Sequence, residues 1–355
     1  MIYNDLKIIN ARMKMKKILP INKNPIIKCY QYNAFAISIA SLHENFREWI
    51  IDNYIQLSFD YCNINRNGIL VDFLGGTIFD SLSLLKYEDG NKDRYYSSGD
   101  KILSYIINKI NEEKYICTML NEYYVPERKN YKNEYFEHDI MIYGYNTEEK
   151  VINIIGYNND GKYVASNISF CEFVKAFETN NLFLKLIEIN KNKYDYNIFK
   201  FKDFLVDYIK GTDCKNKLDK YVDVSKGELS FFVGKYTNHT KVSFGIKIYD
   251  ALKYYLMFVT SNDTEMDYRP FYTLYEHKVL MLERLNIVNV LEKKNIDKVI
   301  LEYQNILEKS RIILNLIIKY QFKHEKEYID QICKMLQEIK KQEICSLTEI
   351  ITVFN

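Results

Sequence analysis

Residues 29–42 are apolar or small at almost every position, through Ala34, Phe35, Ala36, Ile37, Ile39, Ala40 and Leu42. That pattern predicts a helix buried on all sides. Over 44–58 the apolar positions Phe46, Trp49, Ile50, Tyr54 and Leu57 recur at helical spacing and predict a second helix. Residues 60–100 carry no sustained period and include Gly75-Gly76, whereas 99–112 return to helical spacing through Ile102, Leu103, Ile106 and Ile110. The period then changes to two. Tyr115–Leu120, His138–Tyr145 and Lys150–Tyr157 read as strands, the last two joined as a hairpin by Asn146-Thr147-Glu148-Glu149. The turn Asn158-Asn159-Asp160-Gly161 leads to a strand at Lys162–Ser166. Ser169 and Glu172 form a capping box for a short helix through Phe177, and Leu182–Ile189 predicts a last strand. Residues 1–20 predict a leading strand or extended arm. Helices followed by an antiparallel sheet give an α+β class.

A charged linker, Asn190–Asp195, precedes predicted helices at 198–210, 243–260, 270–292, 296–322 and 325–341. Stripes such as Val299, Ile300, Tyr303, Ile306 and Leu307 suit the core of a helical bundle. They are equally compatible with a homodimer. A chain of 355 residues exceeds one average core. The expected division is a domain over 1–190 and a helical domain or bundle over 191–355.

The net charge of +2 balances 49 basic against 47 acidic residues, which gives no electrostatic case for nucleic acid. The seven cysteines form no CxxC and no Cys/His pair at zinc-ligand spacing, so no metal site is expected. Apart from Cys29 they read as reduced, mostly buried structural thiols. The segment Met1–Leu19 is interrupted by Asn and Lys and lacks the apolar core of a signal peptide. No run of about 18 uncharged apolar residues occurs, so no membrane span is expected and the expected compartment is the cytoplasm.

Cys29 stands where a coil gives way to the buried helix. A thiol at such a point has its pKa lowered by the unpaired N–H groups and the macrodipole. His138 opens a strand much later in the chain. Brought within reach of the thiol, it completes the thiolate–imidazolium pair of a cysteine acyl-transfer enzyme. The backbone N–H of Cys29, with Asn24 or Gln31, would serve the oxyanion. Two-residue alternation points Asp139 away from His138. The segment Asn121–Tyr135 is rich in tyrosine and carries Glu122, Glu127, Arg128 and Lys129. It reads either as a loop packed on the sheet or as a substrate-lining loop. In the second case Tyr123, Tyr124 and Tyr135, with Tyr30 beside the thiol, would wall an aromatic or extended acyl chain. His43, His239, His277 and His324 have no partner pattern. His277 reads as a helix-surface or interdomain residue, and Arg269, before Pro270 at a helix start, either as a dock for a carboxylate or phosphate or, more often, as a pin between domains.

The cysteine at a helix head, the histidine-first strand ending in Gly144-Tyr145-Asn146 and the strand after it resemble the papain-fold cysteine peptidases and transglutaminase-like proteins. Further segments are similar to proteins resembling the butirosin-biosynthesis acyltransferase, a group that includes the amide-forming transglutaminase homologue of closthioamide biosynthesis. These are Cys29-Tyr30, Asn53–Leu57, Asn121–Pro126, His138–Tyr145, Gly161-Lys162-Tyr163 and Arg269–Tyr272. The resemblance implies a papain-like domain, a central helix packed on an antiparallel sheet, with a mostly helical C-terminal region. It implies transfer of an acyl group from an acyl carrier protein thioester to Cys29 and release by an amine, without a cofactor, in nonribosomal peptide or natural-product biosynthesis. His138 would be the base. The chain departs from the pattern in two places. The orienting Asp or Asn falls at Ile155-Gly156-Tyr157, leaving Asn158 as nearest candidate, and Lys23 and Asn24 stand where an oxyanion glutamine is usual. The same residues would serve a thiol hydrolase (a peptidase or editing thioesterase), and the fold alone would serve an inactive binding or docking protein.

Overall fold

A computed structural model describes residues 15–64, 68–74, 83–90, 99–178, 183–214 and 241–354. Along the chain the elements are β1 (Lys16–Ile18), α1 (Gln31–Ala40), α2 (Phe46–Asp52), β2 (Leu57–Asp60), β3 (Val71–Phe73), β4 (Leu85–Asp89) and α3 (Gly99–Asn111). There follow β5 (Tyr115–Asn121), β6 (Glu137–Asn146), β7 (Val151–Tyr157), β8 (Tyr163–Ser169), α4 (Phe170–Glu178), β9 (Leu184–Ile189) and α5 (Ile198–Lys210). The last are β10 (Val242–Phe244), α6 (Ile248–Asn262), α7 (Arg269–Leu291), α8 (Asp297–Lys323) and α9 (Lys326–Val353). The class is α+β, with antiparallel sheets and a helical C-terminal region.

The chain divides into two compact units. One holds the described residues of Met1–His43 and Ser83–Lys191, the other those of Glu44–Leu82 and Asn192–Asn355. The expected 1–190 domain is corrected by this division: the described residues of 44–82 belong with the C-terminal helices. The buried guanidinium of Arg284 on α7 donates to the carbonyls of Ile50 and Ile51 at 2.9 and 3.0 Å, and the buried His277 ring meets the Ile55 carbonyl at 2.8 Å. His277 is therefore core, neither on a helix surface nor between domains. Arg269 is paired with Asp267, two residues away on the same unit.

In the first unit a seven-stranded sheet runs β4-β9-β5-β6-β7-β8, with β1 pairing the far end of β6 from Lys16↔Asn146 to Ile18↔Gly144. Every pairing is antiparallel. Helix α1 packs against β6 and β7, and all its residues except Tyr32 are buried, as its sequence predicts. Phe35 lies against the Tyr163 ring, and Ser38 shares a 3.1 Å hydrogen bond with the Tyr163 hydroxyl. Half of the expected capping box forms: the Ser169 hydroxyl accepts from the Glu172 N–H at 3.2 Å, while the Glu172 carboxylate accepts from that hydroxyl at 2.7 Å and not from the Ser169 backbone.

In the second unit the helix expected over 44–58 stops at Asp52. Tyr54 adopts φ 56°, outside the helical region, and Leu57–Asp60 become β2, paired with β3 and β10. Helices α7, α8 and α9 pack in sequence, α8 between the other two. The cysteines are all free thiols, but Cys62, Cys171 and Cys345 are exposed and only Cys117 and Cys214 are buried, which corrects the reading of mostly buried thiols. Gly75-Gly76 lie outside the described residues. Among the described residues no helix is long and apolar enough to cross a membrane, and no group of His, Cys, Asp and Glu is arranged to hold a metal ion.

Candidate active site

The histidine is positioned by the β5–β6 pair. Leu120 faces His138 in the register, so β5 ends beside the first residues of β6. The intervening loop is drawn shut at its base. The Asn121 carboxamide oxygen accepts from the N–H of Tyr123 and of Phe136, and the Glu122 N–H donates to the Phe136 carbonyl at 2.8 Å. Glu122, two residues past the His138 partner, is thereby brought to the imidazole, with its Oε1 2.8 Å from His138 Nδ1. Its other oxygen accepts from Asn130 Nδ2 at 2.7 Å. Buried and bonded at both oxygens, this carboxylate fixes the ring in one orientation.

The segment bearing the cysteine is tied to the same strand through α1. Tyr30 is the N-cap residue, so half-buried Cys29 precedes the helix rather than opening it. The Tyr30 side chain makes no capping hydrogen bond, and no acidic residue stands in the first turn. Two residues after Cys29, the Gln31 carboxamide is a clip. Its Nε2 donates to the Asp139 carbonyl and to Asp139 Oδ1, and its Oε1 accepts from the Tyr157 N–H at 2.7 Å. The thiol-bearing turn is thus fastened to β6 at the neighbour of His138. Gly156 makes room: a Cβ there would lie 2.6 Å from Gln31 Oε1 and 2.9 Å from Arg128 Nη2.

Burial disfavours a charged imidazole at His138, but the Glu122 hydrogen bond and the Asp139 and Glu122 charges outweigh it and raise the pKa above the ordinary imidazole value. Burial likewise opposes a charged Glu122. There the His138 bond and charge and the Asn130 bond prevail and hold the carboxyl below its usual range. Burial dominates at Asp139 and pushes its carboxyl up. The sign for stability follows. The raised His138 contributes stability fully present below its unfolded pKa and lost as pH rises through the folded one. The depressed Glu122 contributes stability present above its unfolded pKa and lost as pH falls through the folded one. Glu122→Gln is therefore expected to move the His138 titration to lower pH and to lower activity on the order of 10²-fold or more, by releasing the ring. An NMR titration of the imidazole carbon-bound protons checks the first part; an unmoved midpoint would contradict it.

Glu122 replaces Asn158 as the group that holds His138. The Asn158 carboxamide oxygen accepts from the N–H groups of Asp160 and Lys162, so it builds the β7–β8 turn. Asp139 was expected to face away, yet its Oδ1 lies 3.4 Å from His138 Nε2. Alternation fixes the Cβ directions, while side chains at a strand's first residues can still curl together. Gln31 has both ends of its carboxamide engaged in the clip, which corrects its expected oxyanion role. Asn24 sits in an exposed turn with its side-chain oxygen held by Lys28 Nζ at 2.6 Å. Tyr30 is buried and stacked on Tyr32. Tyr123 and Tyr135 stack nearly parallel at 4.5 Å, and the Tyr124 and Tyr135 hydroxyls are 3.3 Å apart. Phe136 extends this aromatic surface to the imidazole, its ring 5.5 Å away, and both Tyr135 and Phe136 are exposed.

Glu122 and Asp139 are the site residues that sequence reasoning missed. The signal that would have found Glu122 is the β5–β6 register, which a search downstream of the histidine does not use. Compared with known proteins, the chain matches no protein-family model and no curated protein.

Proposed function

We propose that the chain is a papain-like, cysteine-dependent acyltransferase that forms an amide from a carrier-protein thioester and an amine. The observation that carries this reading is the Gln31 clip: it ties the turn bearing Cys29 to the residue beside a histidine whose Nδ1 is held by a buried carboxylate. Thiol, imidazole and carboxylate in that order are the parts of an activated nucleophile.

In the first step the Cys29 thiolate attacks the thioester carbonyl. A new C–S bond forms, the carrier's C–S bond breaks, and the departing sulfur takes the His138 proton. In the second step the amine attacks acyl-Cys29, its nitrogen gives a proton to neutral His138, and Cys29 leaves as thiolate. The starting ion pair is restored. Thioester exchange is nearly isoenergetic and aminolysis runs downhill, so no nucleotide is consumed. The Cys29 N–H is one oxyanion donor. The Tyr123, Tyr124 and Tyr135 rings offer an apolar wall beside the base, suited to an aromatic or extended acyl chain.

The test is a small-thiol or carrier-bound acyl thioester incubated with and without an amine. The expected product is amide, absent in His138→Ala. Free acid as sole product, with amine present, would make the protein a thiol hydrolase. No turnover of any thioester would remove the enzymatic reading.

A further inference from the structure

The candidate site places two carboxylates around one imidazole, which sets an electrostatic problem. Glu122 holds Nδ1 at 2.8 Å and Asp139 Oδ1 stands 3.4 Å from Nε2. An imidazolium so flanked keeps its proton too well to pass it to a leaving sulfur, and a neutral imidazole there leaves two negative charges, buried Glu122 and half-buried Asp139, without a cation between them. A third ionic group lies in the same cluster. Arg128 comes from the loop between β5 and β6, is 5% exposed, and donates from Nη1 to the Tyr157 carbonyl on β7. Its Nη2 lies beside Gly156, is buried, and has no hydrogen-bond partner. Arg284 shows what a structural arginine looks like in this chain: its buried guanidinium is spent on three backbone carbonyls, of Ile50, Ile51 and Asn53. A buried guanidinium with an idle Nη2 is costly, and the cost calls for a compensating role of its charge.

We propose that Arg128 is a positioning residue whose charge balances the Glu122 and Asp139 carboxylates, so that His138 can both hold and release its proton in the acyl-transfer cycle. The inference rests on the functional reading above. Counted together, Glu122, Asp139, His138 and Arg128 form a neutral set when all four are ionised. The other titratable groups facing them are Cys117 on β5, Glu127 on the loop and Tyr163 on β8. The direction of each interaction agrees: the Arg128 charge favours ionised Glu122 and Asp139 and disfavours protonated His138. Gly156 leaves the guanidinium its place, since a Cβ there would crowd Gln31 Oε1 at 2.6 Å and Arg128 Nη2 at 2.9 Å.

The test is the His138 titration, followed by NMR in the full chain, for the parent, Arg128→Gln and Arg128→Lys. Loss of the charge in Arg128→Gln should move the midpoint to higher pH, and Arg128→Lys should restore most of the parent value. In thioester aminolysis the acidic limb of the pH–rate profile should move the same way, costing about tenfold in rate per unit on its low-pH side. An unmoved midpoint in Arg128→Gln, or an equal shift in the lysine variant, would overturn the proposal. Should the glutamine variant not fold, carbon-detected titration of the Glu122 and Asp139 carboxyls in the parent decides. Both ionised at pH 7 supports the balance; either one protonated there overturns it. These titrations need no turnover, so a protein inert toward thioesters would sink the acyltransferase reading while still answering the question about Arg128.

Discussion

Cys29→Ala is expected to eliminate amide formation, a loss on the order of 10⁴-fold or more, with little change in stability. The magnitude follows from chemistry: without the sulfur there is no covalent intermediate, and the amine would have to attack the thioester directly in a site shaped for two smaller steps. The small stability effect follows from position. Cys29 is only half-buried and precedes the helix, so truncating it opens no core cavity. His138→Ala should fall into the same range, and the double variant should be hardly worse than either single one, because nucleophile and base act as a unit. Product analysis and thermal unfolding of the three variants check this. If Cys29→Ala kept a tenth of the parent rate, the thiol would not be the nucleophile.

Glu343→Leu should be the most damaging single substitution in the second unit. The Glu343 carboxylate on α9 is wholly buried with Lys278 of α7, 2.6 Å from its Nζ. It also accepts from Tyr249 at 2.6 Å, from Tyr208 at 3.2 Å and from Tyr303. Lys278 Nζ donates in addition to the Tyr208 hydroxyl at 2.9 Å and to His277 Nδ1 at 3.0 Å. Leucine would strand the ammonium and three hydroxyls at once. Removing one partner of a buried pair costs about 3–5 kcal/mol, a large part of a typical total of about 5–15 kcal/mol. Lys278→Met should cost less, since three tyrosine hydroxyls still hold the carboxylate. Urea unfolding monitored in the second unit ranks the two; equal or reversed costs would mean that the hydroxyls contribute little.

Much of the first unit was legible from periodicity. The unbroken apolar run through Ala34, Phe35 and Ile37 gave the buried helix, and two-residue alternation gave β5, β6, β7 and their hairpin. Leu57–Asp60 was not, because a short apolar run fits a helix or a strand equally, and its partner Val242–Phe244 lies far along the chain. The described residues of 44–82 join the second unit through contacts far along the chain, such as those of Arg284 and His277 with their backbone carbonyls, which leave no local pattern. Cys29 and His138 stood out because their residue types are chemically specific. Glu122 and Arg128 did not, since charged residues in a tyrosine-rich loop usually face water; the strand register brings Glu122 to the histidine, and a bond to the Tyr157 carbonyl holds Arg128 inside.

The most direct measurement is mass spectrometry of the intact protein after brief exposure to an acyl thioester without amine, followed by peptide mapping. One acyl group on the sulfur at position 29, discharged as amide when amine is added, is the expected result. A protein that stays unmodified, or that carries the label on Cys62, Cys171 or Cys345 instead, would contradict the account.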